Sequence, residues 1–343
     1  MSFKYRQQLP AVAEVILELP LSPELAEVKR ERDRAVSDII SGRSGRFLLI
    51  IGPCSADNED AVCEYVSRLA KLQQKVEQKL LLLPRIYTNK PRTTGIGYKG
   101  MAHQPDPNDE PNIVEGLIAI RKMHIRALGE SGLSSADEML YPFNYPYLED
   151  VLSYVAIGAR SVENQEHRLT VSGLDIPAGM KNPTGGDMGV MLNSIRAGHA
   201  PHIFSYTGWE VATPGNPLTH AILRGAVSPF GRNVPNYHYE DIINLHKLYL
   251  ESGLPNPAVL VDVSHANSNR QFKEQPRVAR EVLASLKYDP RLRGFVRGLM
   301  IESYLCEGSQ DPSGSVYGQS ITDACLGWED SERLVLDIAD LVV

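Results

Sequence analysis

The feature that most constrains this fold is a strand-then-helix alternation that repeats along most of the chain. Short apolar runs of strand length are each followed by a segment with helical periodicity. The runs are largely apolar rather than cleanly alternating, which is typical of parallel strands that are covered on both faces. The eight predicted strands are 47–51, 80–87, 134–140, 156–160, 176–182, 202–207, 258–265 and 298–305.

The segments between these runs carry helical patterns. Helices are predicted over about 59–75, 112–129, from 147, over 164–173, 187–197, 238–252 and 276–287, and from 323 to the end. Eight units in one chain of 343 residues predict a single (β/α)8 TIM barrel with an N-terminal extension. A doubly wound sheet is the alternative fold. We expect residues 1–45 to form an arm and a helix in subunit contacts, and residues 46–343 to form the catalytic barrel.

Composition excludes several classes of function. The net charge of -7 argues against nucleic acid or an anionic membrane as a main partner. Glu14 and Glu18 interrupt the apolar part of the N-terminus, so it does not resemble a signal peptide, and no window reaches transmembrane length. The 4 cysteines show no disulfide spacing, so we expect reduced thiols in a cytoplasmic protein.

The arm, residues 1–21, contains the apolar run AVAEVIL. Eight units follow without it, so the run is not needed to close the barrel. Left in water, it would expose an apolar patch that soluble monomers avoid. We therefore expect the arm to fold onto a neighbouring subunit in a homodimer or homotetramer.

Polar residues recur where the predicted strands end. In a barrel these ends form one rim, and the active site lies there. Five cations at this rim are expected to converge on one anionic ligand. They are Arg85, Lys90, Arg160, Lys181 and Arg224.

The stretch around residue 90 concentrates this charge, because Arg85, Lys90 and Arg92 fall within eight residues. A basic surface loop is the commoner explanation of such a cluster, but the cations at the other strand ends favour a ligand with two or three negative charges. The glycine pattern of residues 95–100 resembles a dinucleotide fingerprint. No helix can begin in the sequence MAHQPDPNDEP that follows, so we reject nucleotide binding.

A second group at the rim consists of metal-ligand residue types: Cys54, His265 and Glu302, with Asp323 as a possible fourth. Taken singly, each has a structural explanation, as a buried thiol, a hydrogen-bonded histidine or a paired carboxylate. Taken together, they favour a site for one divalent metal. Mn, Fe, Co and Zn all suit such a mixed set of ligands.

Several motifs resemble the class I 3-deoxy-D-arabino-heptulosonate 7-phosphate (DAHP) synthases. The resemblance runs in order from about residue 47 to the C-terminus. The motifs are GPCS, KPRTT, GYKG, AIGAR with NQEHR, AGMKN, ILRG, DVSHANS, ESYLCEGSQ and YGQSITDACLGWED. The resemblance implies condensation of phosphoenolpyruvate with erythrose 4-phosphate, the first step of the shikimate pathway to aromatic amino acids. It also implies an aromatic amino acid as inhibitor, bound near subunit contacts.

The same resemblance assigns roles to residues of this sequence. It implies metal ligation by Cys54, His265, Glu302 and Asp323. It implies that Arg85, Lys90, Arg160, Lys181 and Arg224 hold phosphoenolpyruvate, and that Arg92 and Thr93 hold the sugar phosphate. We expect Lys90 to protonate or hydrogen-bond the new hydroxyl group, and Glu138 or His167 to orient the attacking water.

The sequence departs from the family pattern at three places. Asp57 stands where a histidine is common, Tyr98 replaces a tryptophan in a loop with one extra residue, and Tyr304 replaces a histidine. No expected ligand or cation is lost, so these changes concern metal preference and rate. The identity of the metal and of the inhibitor does not follow from the sequence.

Three other functions fit parts of the pattern. A Schiff-base aldolase would use Lys181 or Lys90 as its nucleophile. An effector-binding relative without catalysis would keep the cations but lose a metal ligand, and here all four are present. A related enzyme acts on a five-carbon sugar phosphate, but KPRTT favours erythrose 4-phosphate.

Overall fold

The computed structural model describes residues 2–92 and 94–342 of the chain. The strands are β1 (Phe47–Gly52), β2 (Leu80–Pro84), β3 (Ser135–Glu138), β4 (Leu152–Ile157), β5 (Ala178–Lys181), β6 (His202–Tyr206), β7 (Trp209–Thr213), β8 (Thr219–Leu223), β9 (Ala226–Val227), β10 (Asn233–Val234), β11 (Val259–Asp262), β12 (Val296–Glu302), β13 (Cys306–Ser309) and β14 (Gln319–Ser320). The helices are α1 (Val12–Glu18), α2 (Pro23–Ile40), α3 (Glu59–Val76), α4 (Ile113–Ser131), α5 (Gln165–Val171), α6 (Met188–His199), α7 (Tyr239–Glu251), α8 (Gln275–Tyr288), α9 (Pro290–Arg293) and α10 (Trp328–Leu341).

Eight parallel strands form the central sheet, in the order β2-β1-β12-β11-β8-β5-β4-β3. The first and last strands in this order, β2 and β3, are joined by a parallel bridge between Arg85 and Ala136, which closes the sheet. The predicted α/β barrel with surrounding helices is therefore confirmed. None of the helices in the described ranges combines the length and apolar character needed to span a bilayer.

The segment 202–207 is not the sixth barrel strand, so that prediction is wrong. Its residues form β6, which pairs antiparallel with β7, and the sixth barrel strand is β8. The turn between β6 and β7 consists of Thr207 and Gly208, with φ of 48° and 83°. This is the geometry of a two-residue hairpin, and its strands are largely exposed because they lie outside the barrel.

Two predicted helices also differ. A 3-10 helix over Pro142–Tyr147 replaces the helix expected from Tyr147, and the next strand begins at Leu152. After Tyr147 the chain makes a turn, in which the N–H groups of Val151 and Leu152 donate to Leu148 O over 3.0 and 3.1 Å, and it then enters β4. The last helix begins at Trp328 and not at Asp323. The backbone before Trp328 forms β-bridges, from Cys325 to Gly308 and from Leu326 to Ser303, so it is not available for helical hydrogen bonds.

The barrel strands alternate between two apolar layers. Leu48 and Ile50 of β1 point into the barrel, whereas Leu49 and Ile51 pack outward under the helices. The inner layer also contains Val36, Ile39 and Ile40 from the last turns of α2. Since these residues are fully buried, α2 contributes to the barrel interior.

The arm packs partly on its own chain. Val15 of α1 is buried in the outer apolar layer. The Tyr147 hydroxyl donates to Pro10 O over 2.7 Å, and Arg121 Nε donates to Leu19 O over 2.9 Å. Phe3, Tyr5 and Leu17 remain exposed, so only part of the apolar surface of the arm is covered by its own barrel.

Candidate active site

A cleft at the carboxyl ends of the barrel strands collects the predicted cations. Four of the five side chains predicted to bind phosphoenolpyruvate are at most 9% exposed, and the fifth, Arg160, is exposed. All five line the same cleft, together with Arg92 and Glu138. The structure thus brings together residues that lie up to 139 positions apart in the sequence (85 to 224).

The buried cations are held by specific partners. Arg85 donates to Cys54 O over 2.9 Å and to Glu302 Oε1 over 3.1 Å, and its guanidinium lies 3.7 Å from the ring centre of Tyr87. Lys181 Nζ lies 3.5 Å from Asp262 Oδ2 and 3.7 Å from Glu138 Oε2. These contacts offset the cost of burying positive charge and fix both side chains in place.

Arg224 differs from these two residues. Its side chain is buried, and Nη1 has no hydrogen-bond partner among the described residues. Burial lowers the pKa of Arg224, and the charges of Asp262 and Glu138 only partly offset this effect. A buried, unpaired guanidinium that lines a cleft is suited to receive an anion.

Glu138 is an ionised carboxylate in this cleft. Burial alone would raise its pKa, but the charges of Lys181, Lys90 and Arg85 outweigh burial and hold the pKa below its usual value. Gly158 of the next strand end makes room for this carboxylate, since a Cβ atom there would lie 2.5 Å from Glu138 Oε1. The geometry therefore provides Glu138 as a hydrogen-bond acceptor.

Three of the four predicted metal ligands lie together. The ligand atoms of Cys54, Glu302 and Asp323 are all within 4.8 Å of one another. Cys54 and Glu302 are buried and Asp323 is exposed, so the group opens toward solvent on one side. A thiol and two carboxylates at this separation suit a divalent transition metal, so the residues present fit such an ion.

His265 lies beside this group. Its Nε2 is 3.9 Å from Glu302 Oε1, while its Nδ1 is 2.9 Å from Asp262 Oδ2. A carboxylate on Nδ1 fixes the ring and leaves Nε2 for a metal, as in many metal sites. The backbone of His265 has a φ of 52°, a conformation that residues other than glycine rarely adopt.

Asp262 is a site residue that the sequence analysis missed. It contacts both Lys181 and His265, and their charges outweigh the effect of burial and hold its pKa well below the usual value. The sequence did contain a sign that Asp262 belongs to the site, because it is a single carboxylate inside the apolar run AVLVDVSH. Charged residues are rarely buried in a strand without a partner.

A buried network of three asparagines, also missed, connects three strand ends. Asn182 Oδ1 accepts from Arg224 N–H over 2.9 Å and from Asn236 Nδ2 over 3.1 Å. Asn267 Oδ1 accepts from Asn236 N–H over 2.8 Å, and its Nδ2 donates to Asp262 O over 2.8 Å. The network holds the backbone of Arg224 in register with the strand that carries Asp262.

Two of the predicted site residues cannot be assigned to the cleft. His167 is not among the described residues that line the cleft, and its ring nitrogens face Leu140 O and Asn164 Oδ1 at 3.0 and 2.9 Å. Burial lowers its pKa, which favours the neutral ring. Thr93 lies outside the described residues.

Comparison with known proteins identifies the family. The model of the DAHP synthetase I family matches residues 20–336. The chain belongs to this family. A phospho-2-dehydro-3-deoxyheptonate aldolase of Haemophilus influenzae is 39% identical over 348 residues, which cover 99% of this chain and 93% of the relative.

Two further proteins named phospho-2-dehydro-3-deoxyheptonate aldolase are similar over nearly the whole chain. The Escherichia coli enzyme described as Phe-sensitive is 38% identical and covers 98% of this chain and 95% of its own. The solved structure of the aldolase from Francisella tularensis has a TM-score of 0.92 at 32% identity and covers 99% of this chain and 98% of that chain. The chain is therefore an enzyme of the transferase class, as the motifs predicted.

Two of the three departures from the family motifs, Asp57 and Tyr304, closely follow the metal-ligand candidates Cys54 and Glu302 in sequence, whereas Tyr98 does not, and all three are partly or fully buried. Tyr98 and Tyr304 are 3% and 0% exposed, and neither hydroxyl has a hydrogen-bond partner among the described residues. Burial raises the pKa of Asp57 to about 7, which favours a protonated carboxyl below neutral pH. These side chains thus change the polarity beside the loop of Cys54 and the strand of Glu302.

Proposed function

We propose that this chain condenses phosphoenolpyruvate with erythrose 4-phosphate, releasing phosphate and giving 3-deoxy-D-arabino-heptulosonate 7-phosphate. The reaction would be the first step of the shikimate pathway. The observation that carries the proposal is the cleft in which five predicted cations meet, next to the three metal-ligand side chains. Membership of the DAHP synthetase I family supports the same reaction.

The cations of the cleft account for binding of phosphoenolpyruvate. This substrate carries a carboxylate and a phosphate, and guanidinium groups match both kinds of oxygen. Arg85 and Lys181 are held in place by carboxylates, whereas a buried nitrogen of Arg224 has no hydrogen-bond partner in the described part of the chain. We infer that the fixed cations orient the substrate and that its anionic groups complete the hydrogen bonds of Arg224.

The metal-ligand group accounts for activation of the aldehyde. Cys54, His265, Glu302 and Asp323 would hold one divalent ion of Mn, Fe, Co or Zn. When bound, such an ion polarises a carbonyl oxygen as a Lewis acid. Asp262 would keep the His265 ring in the orientation that leaves Nε2 available, since its carboxylate lies 2.9 Å from Nδ1.

Two side chains are placed to handle protons. Lys90 Nζ contacts Cys54 Sγ at 3.0 Å and also lines the cleft, so it can donate a proton to the aldehyde oxygen as that oxygen becomes a hydroxyl group. Glu138 is ionised and lines the same cleft, so it can orient the water that adds to C2 of phosphoenolpyruvate. We assign no proton transfer to His167, which lies outside the cleft lining.

Regulation and assembly form a further part of the proposal. One relative of this chain is described as Phe-sensitive. We propose that an aromatic amino acid inhibits this enzyme, and that the exposed Phe3, Tyr5 and Leu17 contribute to contacts in a homodimer or homotetramer.

An activity assay with both substrates tests the proposal. Purified enzyme is treated with chelator, supplied with Mn, Co, Fe or Zn in turn, and assayed for DAHP and phosphate. We expect no turnover after chelation and recovery with at least one metal, and no recovery in His265→Ala. Full turnover by the metal-free enzyme contradicts the metal role. A covalent adduct trapped by borohydride would instead establish the Schiff-base alternative.

A further inference from the structure

We propose that Arg270 is a second cation for the phosphate of the four-carbon sugar, acting with Arg92 at the mouth of the cleft. The inference rests on the proposed function and adds a binding residue to it. Arg270 follows the metal-ligand candidate His265 by five positions on the loop after β11. Its side chain is exposed and is one of the residues that line the cleft.

The location of Arg270 in the cleft is consistent with a contact to the phosphate of the aldehyde substrate. It lines the cleft together with Arg92, His265 and Asp323, and it also lines an adjoining cavity that contains Glu302. These metal-ligand candidates mark the position of the aldehyde end of the sugar. The phosphate is at the opposite end of the four-carbon chain and therefore extends away from them, toward the exposed mouth.

Arg270 forms no ion pair within the described part of the chain. No carboxylate among the described residues lies within 4.0 Å of its guanidinium. The nearby exposed Arg277, in contrast, contacts Glu274 at 2.6 Å and Glu281 at 3.0 Å. A guanidinium that lines the same cleft as Arg92 and has no ion-pair partner among the described residues is suited to a dianionic phosphate, which accepts several charge-assisted hydrogen bonds.

The backbone holds Arg270 in an unusual conformation. Asn269 and Arg270 have φ of 53° and 59°, and consecutive residues other than glycine seldom adopt this region. Two hydrogen bonds keep them there: Arg270 N–H donates to His265 O over 2.8 Å, and Asn233 Nδ2 of β10 donates to Asn269 Oδ1 over 2.8 Å. Strain that is held in place in this way is characteristic of ligand-binding positions.

Phosphoenolpyruvate is the less suitable ligand for Arg270. Its five predicted cations already match the carboxylate and the phosphate, and four of them are buried within the cleft. For the sugar phosphate, by contrast, Arg92 is the one cation among the described residues that the motifs supply. A single half-buried arginine leaves much of a dianion without a charged partner.

Steady-state kinetics of Arg270→Ala test the inference. We expect the KM for erythrose 4-phosphate to rise at least about tenfold, from loss of a charge-assisted contact, and the KM for phosphoenolpyruvate to change less than about twofold. Arg270→Lys should recover part of the loss. Arg232→Ala is the matched control, because Arg232 is also exposed near this rim but does not line the cleft.

A substrate without phosphate separates binding from indirect effects. With D-erythrose, wild-type enzyme and Arg270→Ala should have equal kcat/KM, since the missing group is the one that Arg270 contacts. An unchanged KM for erythrose 4-phosphate, an equal loss with both aldehydes, or a shift confined to phosphoenolpyruvate would overturn the inference. Failure of the wild-type enzyme to form product from phosphoenolpyruvate and erythrose 4-phosphate would instead reject the proposed function, and this inference with it.

Discussion

Nζ of Lys90 donates a hydrogen bond to Sγ of Cys54 over 3.0 Å, and both side chains are buried. The contact joins the loop after β2 to the loop after β1. It places a positive charge between a candidate metal ligand and the cleft that carries the other cations. Binding and proton transfer can therefore depend on the same ammonium group.

Replacing Lys90 should affect turnover more than folding. We expect Lys90→Met to lower kcat by about 10²–10⁴-fold, because a positioned proton donor contributes about that much. Metal content by elemental analysis should remain near that of wild type. Lys71→Met on the exposed face of α3 is the control and should be fully active. A Lys90 variant with normal kcat would exclude the proton-donor role.

Oxidation should join Cys54 to Cys325. The Cys54 N–H donates to Cys325 Sγ over 3.3 Å, so the two residues are neighbours although 271 positions separate them. Burial raises the pKa of both thiols, so we expect a slow reaction that inactivates the metal-free enzyme in air. Mass spectrometry should identify the link, and Cys325→Ser should prevent it whereas Cys306→Ser should not. Free thiols at both positions after inactivation contradict the prediction.

Arg92 should contribute to binding of the sugar phosphate. We expect Arg92→Ala to raise the KM for erythrose 4-phosphate by an amount that corresponds to about 1.5–3 kcal/mol, the contribution of a charge-assisted hydrogen bond. The KM for phosphoenolpyruvate should hardly change. Initial rates with one substrate varied at a time measure both values. A larger effect on phosphoenolpyruvate would mean that this loop belongs to the other substrate.

His220 should make the fold sensitive to acid. It is fully buried, with Nε2 2.8 Å from Tyr154 Oη and Nδ1 2.8 Å from Leu218 O, and burial lowers its pKa to about 4. An unfolded chain binds this proton near pH 6.5, so the free energy of unfolding should decrease as pH falls from about 6.5 to about 4, by up to about 3 kcal/mol. Urea unfolding at several pH values should show a flatter dependence for His220→Gln. An identical slope in both proteins would exclude His220 as the source.

The arm should act in assembly. Removing residues 1–20 should leave metal binding and substrate KM nearly unchanged, because none of the described residues 2–20 lines the cleft. The oligomer and any inhibition by aromatic amino acids should weaken. Light scattering and inhibitor titration measure both effects, and the double variant Phe3→Ser, Tyr5→Ser removes exposed apolar groups without deleting α1. Unchanged assembly and unchanged inhibition would exclude a role for the arm.

Most barrel elements followed from local pattern. The buried run at β1 and the amphipathic pattern of α3 are properties of short segments, so the sequence predicted them closely. The segment 202–207 is also of strand length and contains Ile203, Phe204 and Tyr206, and these properties alone do not show that its partner is the next segment rather than the barrel. Which strand pairs with which depends on distant residues, and only the folded chain decides it.

The sequence by itself determined the residue types available for chemistry and their positions at strand ends. Cys54, Glu302 and the cations were found in this way, because a parallel barrel brings all its strand ends to one rim. Only the tertiary structure decided the pairwise contacts: it placed Asp262 between Lys181 and His265, and among the described residues it left a nitrogen of Arg224 without a hydrogen-bond partner and Arg270 without an ion pair. The physical reason is that burial and partner distance, which set the charge state and orientation of a side chain, arise from packing of segments far apart in the chain.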